Sequence, residues 1–234
     1  MDRLDHSTLC DELSKVRSGN SHVGLITEAT PISYNDDLLG RVDVAVIGGG
    51  IIGVSSALCL AEAGLTVALF EKGRVAGEQS SRNWGWIRQL GRDPAEMPIM
   101  MEANRLWGGM SNRIRAEVGF RSEGIIYLAE SESARDAHEF HIATANRYQL
   151  IVERLSRTEV EGLIQGRPGF WAGGLRCPSD GRAEPWIAVP MMAKALKGLG
   201  ASLHENCAVR ALDISAGRVS GVVTERGLVR ADAV

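Results

Sequence analysis

Over the first 41 residues apolar positions recur without a sustained period, and turn-forming clusters interrupt them at Ser18-Gly19-Asn20-Ser21 and Tyr34-Asn35-Asp36-Asp37. That pattern predicts a weakly ordered extension over residues 1–41 that packs loosely against the rest of the chain. At Asp43 the pattern changes. Asp43-Val44-Ala45-Val46-Ile47 is a short apolar run closed by three glycines, which fits a buried parallel strand. Ile51 to Ala63 is rich in small residues and ends at Gly64, a C-cap residue type, so a helix is predicted there. Thr66 to Phe70 reads as a second buried strand ending at Glu71.

Gly73 to Gly91 is rich in Gly, Ser and Arg and is predicted to be a loop despite Trp84 and Trp86. Pro94 to Val118 carries helical apolar spacing, Gly124 to Ala129 reads as a strand, and Ser131 to Tyr148 as a polar-faced helix. Leu150 to Leu155 is short and strand-like. Ser156-Arg157-Thr158-Glu159 is a capping box opening a short helix that runs toward Gly166. Phe170 to Cys177 reads as extended and Pro178 to Gly181 as a turn; Ile187 to Leu199 is a helix stopped by Gly200. Three strands close the chain: Ser202–Ala211, Arg218–Thr224 and Leu228–Val234, the last two joined as a hairpin at Glu225-Arg226-Gly227.

Composition narrows the function classes. In 234 residues the hydrophobic fraction is 44% and the charged fraction 24%, ordinary for an α/β protein. A net charge of −3 argues against nucleic acid as the main partner. No apolar run reaches the roughly 18 residues of a membrane span, and the first residues lack a signal-peptide pattern, so a cytoplasmic location is the default expectation. Cys10, Cys59, Cys177 and Cys207 have no C-x-x-C spacing, and they read as reduced thiols rather than a zinc or disulfide set. His138 and His141 are three apart, not the four of a zinc-protease pair, so no metal is expected.

Chemistry concentrates at the first turn. Gly48-x-Gly50-x-x-Gly53 lies between a strand and a helix, the setting of a dinucleotide fingerprint. The first glycine permits the tight turn, the second lets a pyrophosphate approach the backbone, and the third lets helix and strand pack closely. The phosphates then meet the unpaired N–H groups and the positive end of the helix. Glu71 closes the second strand, where a carboxylate accepts hydrogen bonds from ribose hydroxyls and repels a 2′-phosphate. Spacing alone leaves FAD and NAD both open, since each presents an ADP half.

Three stretches go further. Val44 to Gly53, Phe70-Glu71-Lys72-Gly73 and Gly77 to Trp86 together resemble the flavin-dependent D-amino acid oxidase family, which includes glycine and sarcosine oxidases and small D-amino acid dehydrogenases. Ser179 to Trp186 is similar to the family's acidic-Pro-aromatic element before a helix, and Leu199 to Val209 to another of its segments. The resemblance runs from about residue 42 to the end. It implies a Rossmann-like FAD-binding domain interleaved with part of an α+β substrate domain. Residues 42–92 would form the FAD-binding βαβ unit and flavin loop. Residues 93–186 would belong partly to the substrate domain, and 187–234 would return to the FAD domain.

Carried over position by position, the resemblance implies that Gly48, Gly50 and Gly53, with Ile52 beside them, hold the pyrophosphate. Glu71 would bind the adenosine ribose and Lys72 would lie next to it. Ser80 and Ser81 would meet the phosphate and ribityl chain, and Asn83, Trp84, Gly85 and Trp86 would run along the isoalloxazine. The family is usually small-residue-rich there, so Trp84 and Trp86 depart from it. Val209 matches the residue whose backbone pairs with adenine.

The implied activity is oxidation of the C–N bond of an amino acid or secondary amine by hydride transfer to FAD, with oxygen or a quinone as electron acceptor. No catalytic acid or base is assigned, because the reaction does not strictly need one. Arg82 and Arg88 are cations near the flavin loop and are read as exposed loop arginines rather than carboxylate ligands. The competing readings are an inactive nucleotide-binding remnant and an NAD-linked dehydrogenase. The resemblance also implies further substrate-domain residues beyond Val234. The 234 residues alone are then expected to hold FAD weakly, to turn over no amine and to leave the parallel sheet with an unpaired edge.

Overall fold

The structure, a computed structural model, describes residues 26–166 and 169–234. Cys10 and the expected turn at Ser18–Ser21 therefore lie outside the described residues. The elements in chain order are β1 (Arg41–Ile47), α1 (Ile51–Glu62), β2 (Val67–Phe70), a 3-10 turn (Gln79–Ser81), β3 (Trp86–Ile87), α2 (Met97–Ile114), β4 (Ile125–Ala129), α3 (Glu132–Arg147) and β5 (Glu153–Leu155). There follow α4 (Arg157–Leu163), β6 (Gly173–Cys177), β7 (Gly181–Arg182), α5 (Pro185–Gly198), β8 (Ser202–His204), β9 (Val209–Ser215), β10 (Arg218–Thr224) and β11 (Gly227–Ala233). The chain divides into two compact units, one comprising residues up to Arg82 with Ala193–Val234, the other Asn83–Met192.

The first unit is built on a six-stranded sheet in the order β8-β2-β1-β11-β10-β9. β8, β2, β1 and β11 run parallel, β10 pairs antiparallel with β11, and β9 pairs antiparallel with β10. This is a mixed α/β fold with a parallel-strand core. β2 is buried along its whole length, as its unbroken Val-Ala-Leu-Phe run requires of a central strand. Phe70, Val42, Ala45, Ala68, Cys207, Val222, Val229 and Ala231 form one core cluster. Complete burial of each larger side chain there contributes about 1.5–3 kcal/mol. α1 packs Val54, Ala57 and Leu58 inward.

The second unit holds a three-stranded antiparallel sheet, β4-β6-β5, and the two-stranded pair β3-β7. Its core joins Leu90, Met97, Ala145, Leu150, Leu175 and Cys177. α3 starts at a Ser131 cap whose side chain accepts Ala134 N–H. The Ser156–Glu159 capping box forms with both of its reciprocal hydrogen bonds.

Several expectations change. The strand expected over Ser202–Ala211 is two strands, β8 and β9, because Asn206 adopts a left-handed φ of +52° and breaks the extended run. The turn expected at Tyr34–Asp37 is instead an extended contact: Asn35 bridges His204 antiparallel and Asp36 N donates to Leu203 O, so this segment covers the outer edge of β8. The strand read at Arg230–Val234 enters the sheet as β11, flanked by β1 on one side and β10 on the other. β1 starts at Arg41 and is not wholly buried, with Ile47 51% exposed. The 73–91 loop contains the 3-10 turn and β3. No helix among the described residues is long and apolar enough to cross a membrane. Cys177 and Cys207 are buried, Cys59 is exposed, and no disulfide joins cysteines among the described residues.

Candidate functional site

The turn between β1 and α1 sits at the carboxyl end of a strand flanked by β2 and β11, the crevice where open α/β sheets take their ligands. Two of its glycines are required by local sterics. Gly48 has φ +104°, a conformation that L side chains rarely adopt. A Cβ on Gly53 would stand 1.9 Å from the Gly48 carbonyl oxygen, so helix and strand meet there without room for a methyl group. Gly50 is different. Its backbone is ordinary (φ −79°, ψ −178°), and an added Cβ would meet Ser80 Oγ at 3.0 Å. What a side chain at Gly50 would fill is the space over the start of α1.

No side chain caps Gly50 itself, and Ser80 Oγ reaches in to accept Ile51 N–H at 2.8 Å. Ser81, next in the chain, is 1% exposed, and its Oγ has no hydrogen-bond partner among the described residues. An orphaned buried hydroxyl in the segment that also supplies Ser80, beside a helix N-terminus with a side-chain-free cradle, fits a phosphate-bearing group. Ile52 lies in the first helical turn with its side chain 78% exposed.

Glu71 is buried, and both carboxylate oxygens are engaged: Oε2 accepts Gly49 N–H at 2.7 Å and Oε1 accepts Gly73 N–H at 2.7 Å. The residue expected to face a ribose thus also ties the glycine turn to the end of β2, and its remaining lone pairs are what a ribose can use. Lys72 is mostly exposed and pairs with Glu78 at 3.6 Å. Val209 opens β9 and packs against the Phe70 cluster, while Cys207 N donates to Glu71 O and Asn206 N to Gly73 O. The structure therefore brings Gly48, Gly50, Gly53, Glu71 and Ser80 together at the carboxyl ends of β1 and β2, and ties Cys207, two residues before Val209, to Glu71.

Of the remaining predicted residues, Arg82 belongs to the first unit and Asn83, Trp84, Gly85, Trp86 and Arg88 to the second. Asn83 Oδ1 accepts Gly85 N–H at 2.7 Å, an Asx turn. Gly85 has φ +71°, and a Cβ there would stand 2.0 Å from Ala183 O. Trp84 and Trp86 pack edge to face, 5.2 Å between centroids, and Trp84 is 80% exposed. Arg82 is the exposed arginine expected, bonded to Glu78 and Gly77 O. Arg88 corrects its expectation. It is half-buried, 5.9 Å from the ring centres of both Trp86 and Tyr127, and Nη1 donates to Tyr127 Oη at 2.8 Å. Tyr127 in turn donates to Leu90 O at 2.6 Å. Arg88 makes no ion pair among the described residues.

Two buried carboxylates escaped the sequence reading. Asp180 accepts Gln89 N–H at 2.7 Å and Leu90 N–H at 3.3 Å, and burial pushes its pKa up despite those donors. Glu205, 4% exposed, accepts Val75 N–H at 2.7 Å, Ser33 N–H at 2.6 Å and Tyr34 N–H at 3.2 Å. For Asp180 the available signal was an acidic residue among small residues, whereas Glu205, between His204 and Asn206, carries none.

Fold and turn define a dinucleotide-binding protein, and comparison gives the family. Residues 43–234 match the DAO family, FAD dependent oxidoreductase. The chain belongs to this family, and FAD is its cofactor. Among curated relatives, the sarcosine oxidase subunit beta of Rhodobacter capsulatus is 29% identical over 196 residues, which covers 81% of this chain and 47% of that protein. Among solved structures, the L-amino acid deaminase of Proteus myxofaciens in complex with anthranilate superimposes with a TM-score of 0.82 at 31% identity, over 88% of this chain and 47% of that one. Glycine oxidase from Geobacillus kaustophilus does so with a TM-score of 0.74 at 28% identity, over 84% and 55%. The chain thus spans about half the length of the relatives it matches.

Proposed function

We propose that this chain carries the FAD-binding portion and part of the substrate side of an oxidoreductase that oxidises the C–N bond of an amino acid or secondary amine. The observation that carries the reading is the cradle at Gly50: a helix start without a side-chain cap, kept open by a glycine, with Ser80 Oγ on Ile51 N–H. Gly48, Gly50, Ile52 and Gly53 would hold the pyrophosphate, Glu71 and Lys72 the adenosine ribose, and Ser80 and Ser81 the phosphate and ribityl chain. The segment at Val209 would meet adenine. Asn83 to Trp86, which come directly after in the chain, would run along the isoalloxazine. Bound FAD supplies the two-electron acceptor for a hydride leaving the carbon next to nitrogen, and the imine product hydrolyses in water.

The protein's own contribution is binding and orientation. The substrate amine must be neutral, so that its lone pair assists as the hydride departs. Arg88 is the residue best placed in its own unit to take a substrate carboxylate. The two aromatic rings hold its guanidinium, it donates to a neutral phenol, and no carboxylate neutralises it among the described residues. Oxygen or a quinone would take the electrons onward. The sarcosine oxidase and glycine oxidase names among the relatives support an amino acid or amine as substrate.

Purified protein titrated with FAD and assayed by dye reduction across D-amino acids, glycine and sarcosine tests the reading. Saturable FAD binding in the titration is expected, and a protein that binds no FAD at any concentration overturns the reading. The expectation that the 234 residues alone hold FAD weakly and turn over no amine stands as a proposal that the same assay checks. In any active form, Arg88→Ala should raise KM for amino acids far more than for an amine without a carboxylate.

A further inference from the structure

We propose that residues 27–36 form a strap that belongs to the cofactor site, with Glu205 as the positioning residue that connects it to the glycine turn. The proposal rests on the FAD reading and extends it to a segment that precedes the family match, which begins at residue 43.

Besides the pairing of Asn35 and Asp36 with β8, two contacts pin the strap to the cofactor side. Arg74 Nε donates to Thr30 O at 2.6 Å and Nη2 to Glu28 O at 3.2 Å, so one guanidinium grips two strap carbonyls. Glu205 Oε2 accepts Ser33 N–H and Tyr34 N–H, while its Oε1 accepts Val75 N–H. The next residue, Ala76, donates its N–H to Gly49 O at 2.9 Å. Strap, Glu205, Val75–Ala76 and glycine turn are therefore joined by successive hydrogen bonds through one intervening peptide.

Ala76 adds a reason for the device. It holds φ +62°, a left-handed conformation costly for a residue with a Cβ, and it persists only where its surroundings fix it. The hydrogen bond from Val75 to a buried carboxylate is such a constraint. It sets the course of the segment leading to Ser80 and Ser81. Thr27, Glu28 and Ala29 of the strap also line one side of a cavity of about 390 Å³, whose other side includes Lys72, Gly77 and Arg82. Lys72 adjoins Glu71 in the chain, so the cavity opens beside the residue proposed for the ribose.

A strap that fixes the cofactor loop must in turn be fixed by the cofactor, because coupling between two binding events is reciprocal. A strap that only shields the edge of β8 has no such link. The test is FAD titration of the chain with amide hydrogen exchange followed over residues 27–36 and 73–82. FAD should slow exchange in both segments. Arg74→Ala, which removes the grip on the strap without touching Glu205, should raise the FAD dissociation constant by about tenfold, equivalent to about 1.4 kcal/mol. Glu205→Gln should raise it further. FAD binding that slows exchange over 73–82 but leaves 27–36 unchanged, or an Arg74→Ala affinity equal to wild type, overturns the strap and leaves the cofactor reading intact. Wild-type protein that binds no FAD overturns the cofactor reading and the strap with it. The exchange measurement is made on wild-type protein, so a variant that fails to fold does not decide the outcome.

Discussion

Two consecutive loops, 73–82 in the first unit and 83–91 in the second, contain the residues we propose for the cofactor, and each is held by buried carboxylates that accept backbone N–H groups. In the first loop Glu205 takes Val75, and Glu71 takes Gly73 and Gly49. In the second Asp180 takes Gln89 and Leu90. The difference lies in what each device leaves for a ligand. The first loop brings a hydroxyl to the start of a helix whose cap position is bare, so its polar groups converge on a site. In the second loop the donors turn inward onto Asp180, while a cation and two indoles are left for other partners. The first loop reads as a binding cradle and the second as a rigid mount.

The largest expected effect separates fold from site within the first loop's own turn. Gly53→Ala places a methyl group 1.9 Å from a backbone carbonyl, which no side-chain rearrangement relieves. We expect a loss of more than about 3 kcal/mol of stability, read by chemical denaturation, and loss of FAD as a consequence. A Gly53→Ala protein as stable as wild type would show that helix and strand are not packed as described. Gly50→Val makes the contrast. Its backbone conformation suits any residue and its Cβ meets the flexible Ser80 side chain, so the fold should survive while FAD retention is lost. Stoichiometric flavin in Gly50→Val would remove the cradle from the site.

The mount is tested by Asp180→Asn. The amide keeps one acceptor and turns a donor toward the other N–H, so one backbone group loses its partner. We expect a loss of about 1–3 kcal/mol, and faster amide exchange at Gln89 and Leu90 with no change at Val75 or Gly73. Exchange that rises equally in both loops would mean that they are not held independently. The charged form is disfavoured by burial, so wild-type Asp180 relieves its burden as pH falls through its raised pKa toward 3.8, and the Asn variant should lack that gain.

Legibility in the sequence is a matter of range. The glycine turn, the strand ending at Glu71 and the Ser156–Glu159 capping box depend on residues a few positions apart, and their chemistry is written locally. The pins are not local. Glu205 and Val75 are 130 residues apart, and Asp180 and Gln89 are 91 apart. No period or motif announces such a pairing. The same limit explains the missed break between β8 and β9: apolar residues stand on both sides of Glu205 and Asn206 in Ser202–Ala211, and only contacts with residues 33–36 and 71–75 fix those two outside the strand. Arg88 reads as an exposed loop residue because nothing near it in sequence shows that Tyr127 lies beside it.

The smallest expected effect is a pH dependence that belongs to the first unit. His204 is fully buried on β8, stacked on Phe70 with centroids 4.9 Å apart, its Nε2 2.6 Å from Ser202 Oγ and its Nδ1 3.3 Å from Arg226 Nη1. Burial holds its pKa below the usual 6.5, and the charges of Arg226 and Lys197 act in the same direction, with Asp36 opposing them. The unfolded chain takes up this proton near 6.5, whereas the folded protein takes it up only at lower pH. Between those two values the unfolded state binds more protons, so stability falls as pH is lowered through 6.5 and levels off below the folded pKa. The thermal midpoint of wild-type protein should therefore drop on going from neutral pH to just above the carboxylate range. In His204→Gln, which keeps a polar group for Ser202 and Arg226, that drop should flatten. Because His204 faces Arg226 and Asn35 and Asp36 pair with this strand, the strap's edge should open first as pH falls, with amide exchange rising at Asp36 before Gln89. Equal slopes in wild type and His204→Gln would place the acid sensitivity elsewhere and rule out the imidazole as its source.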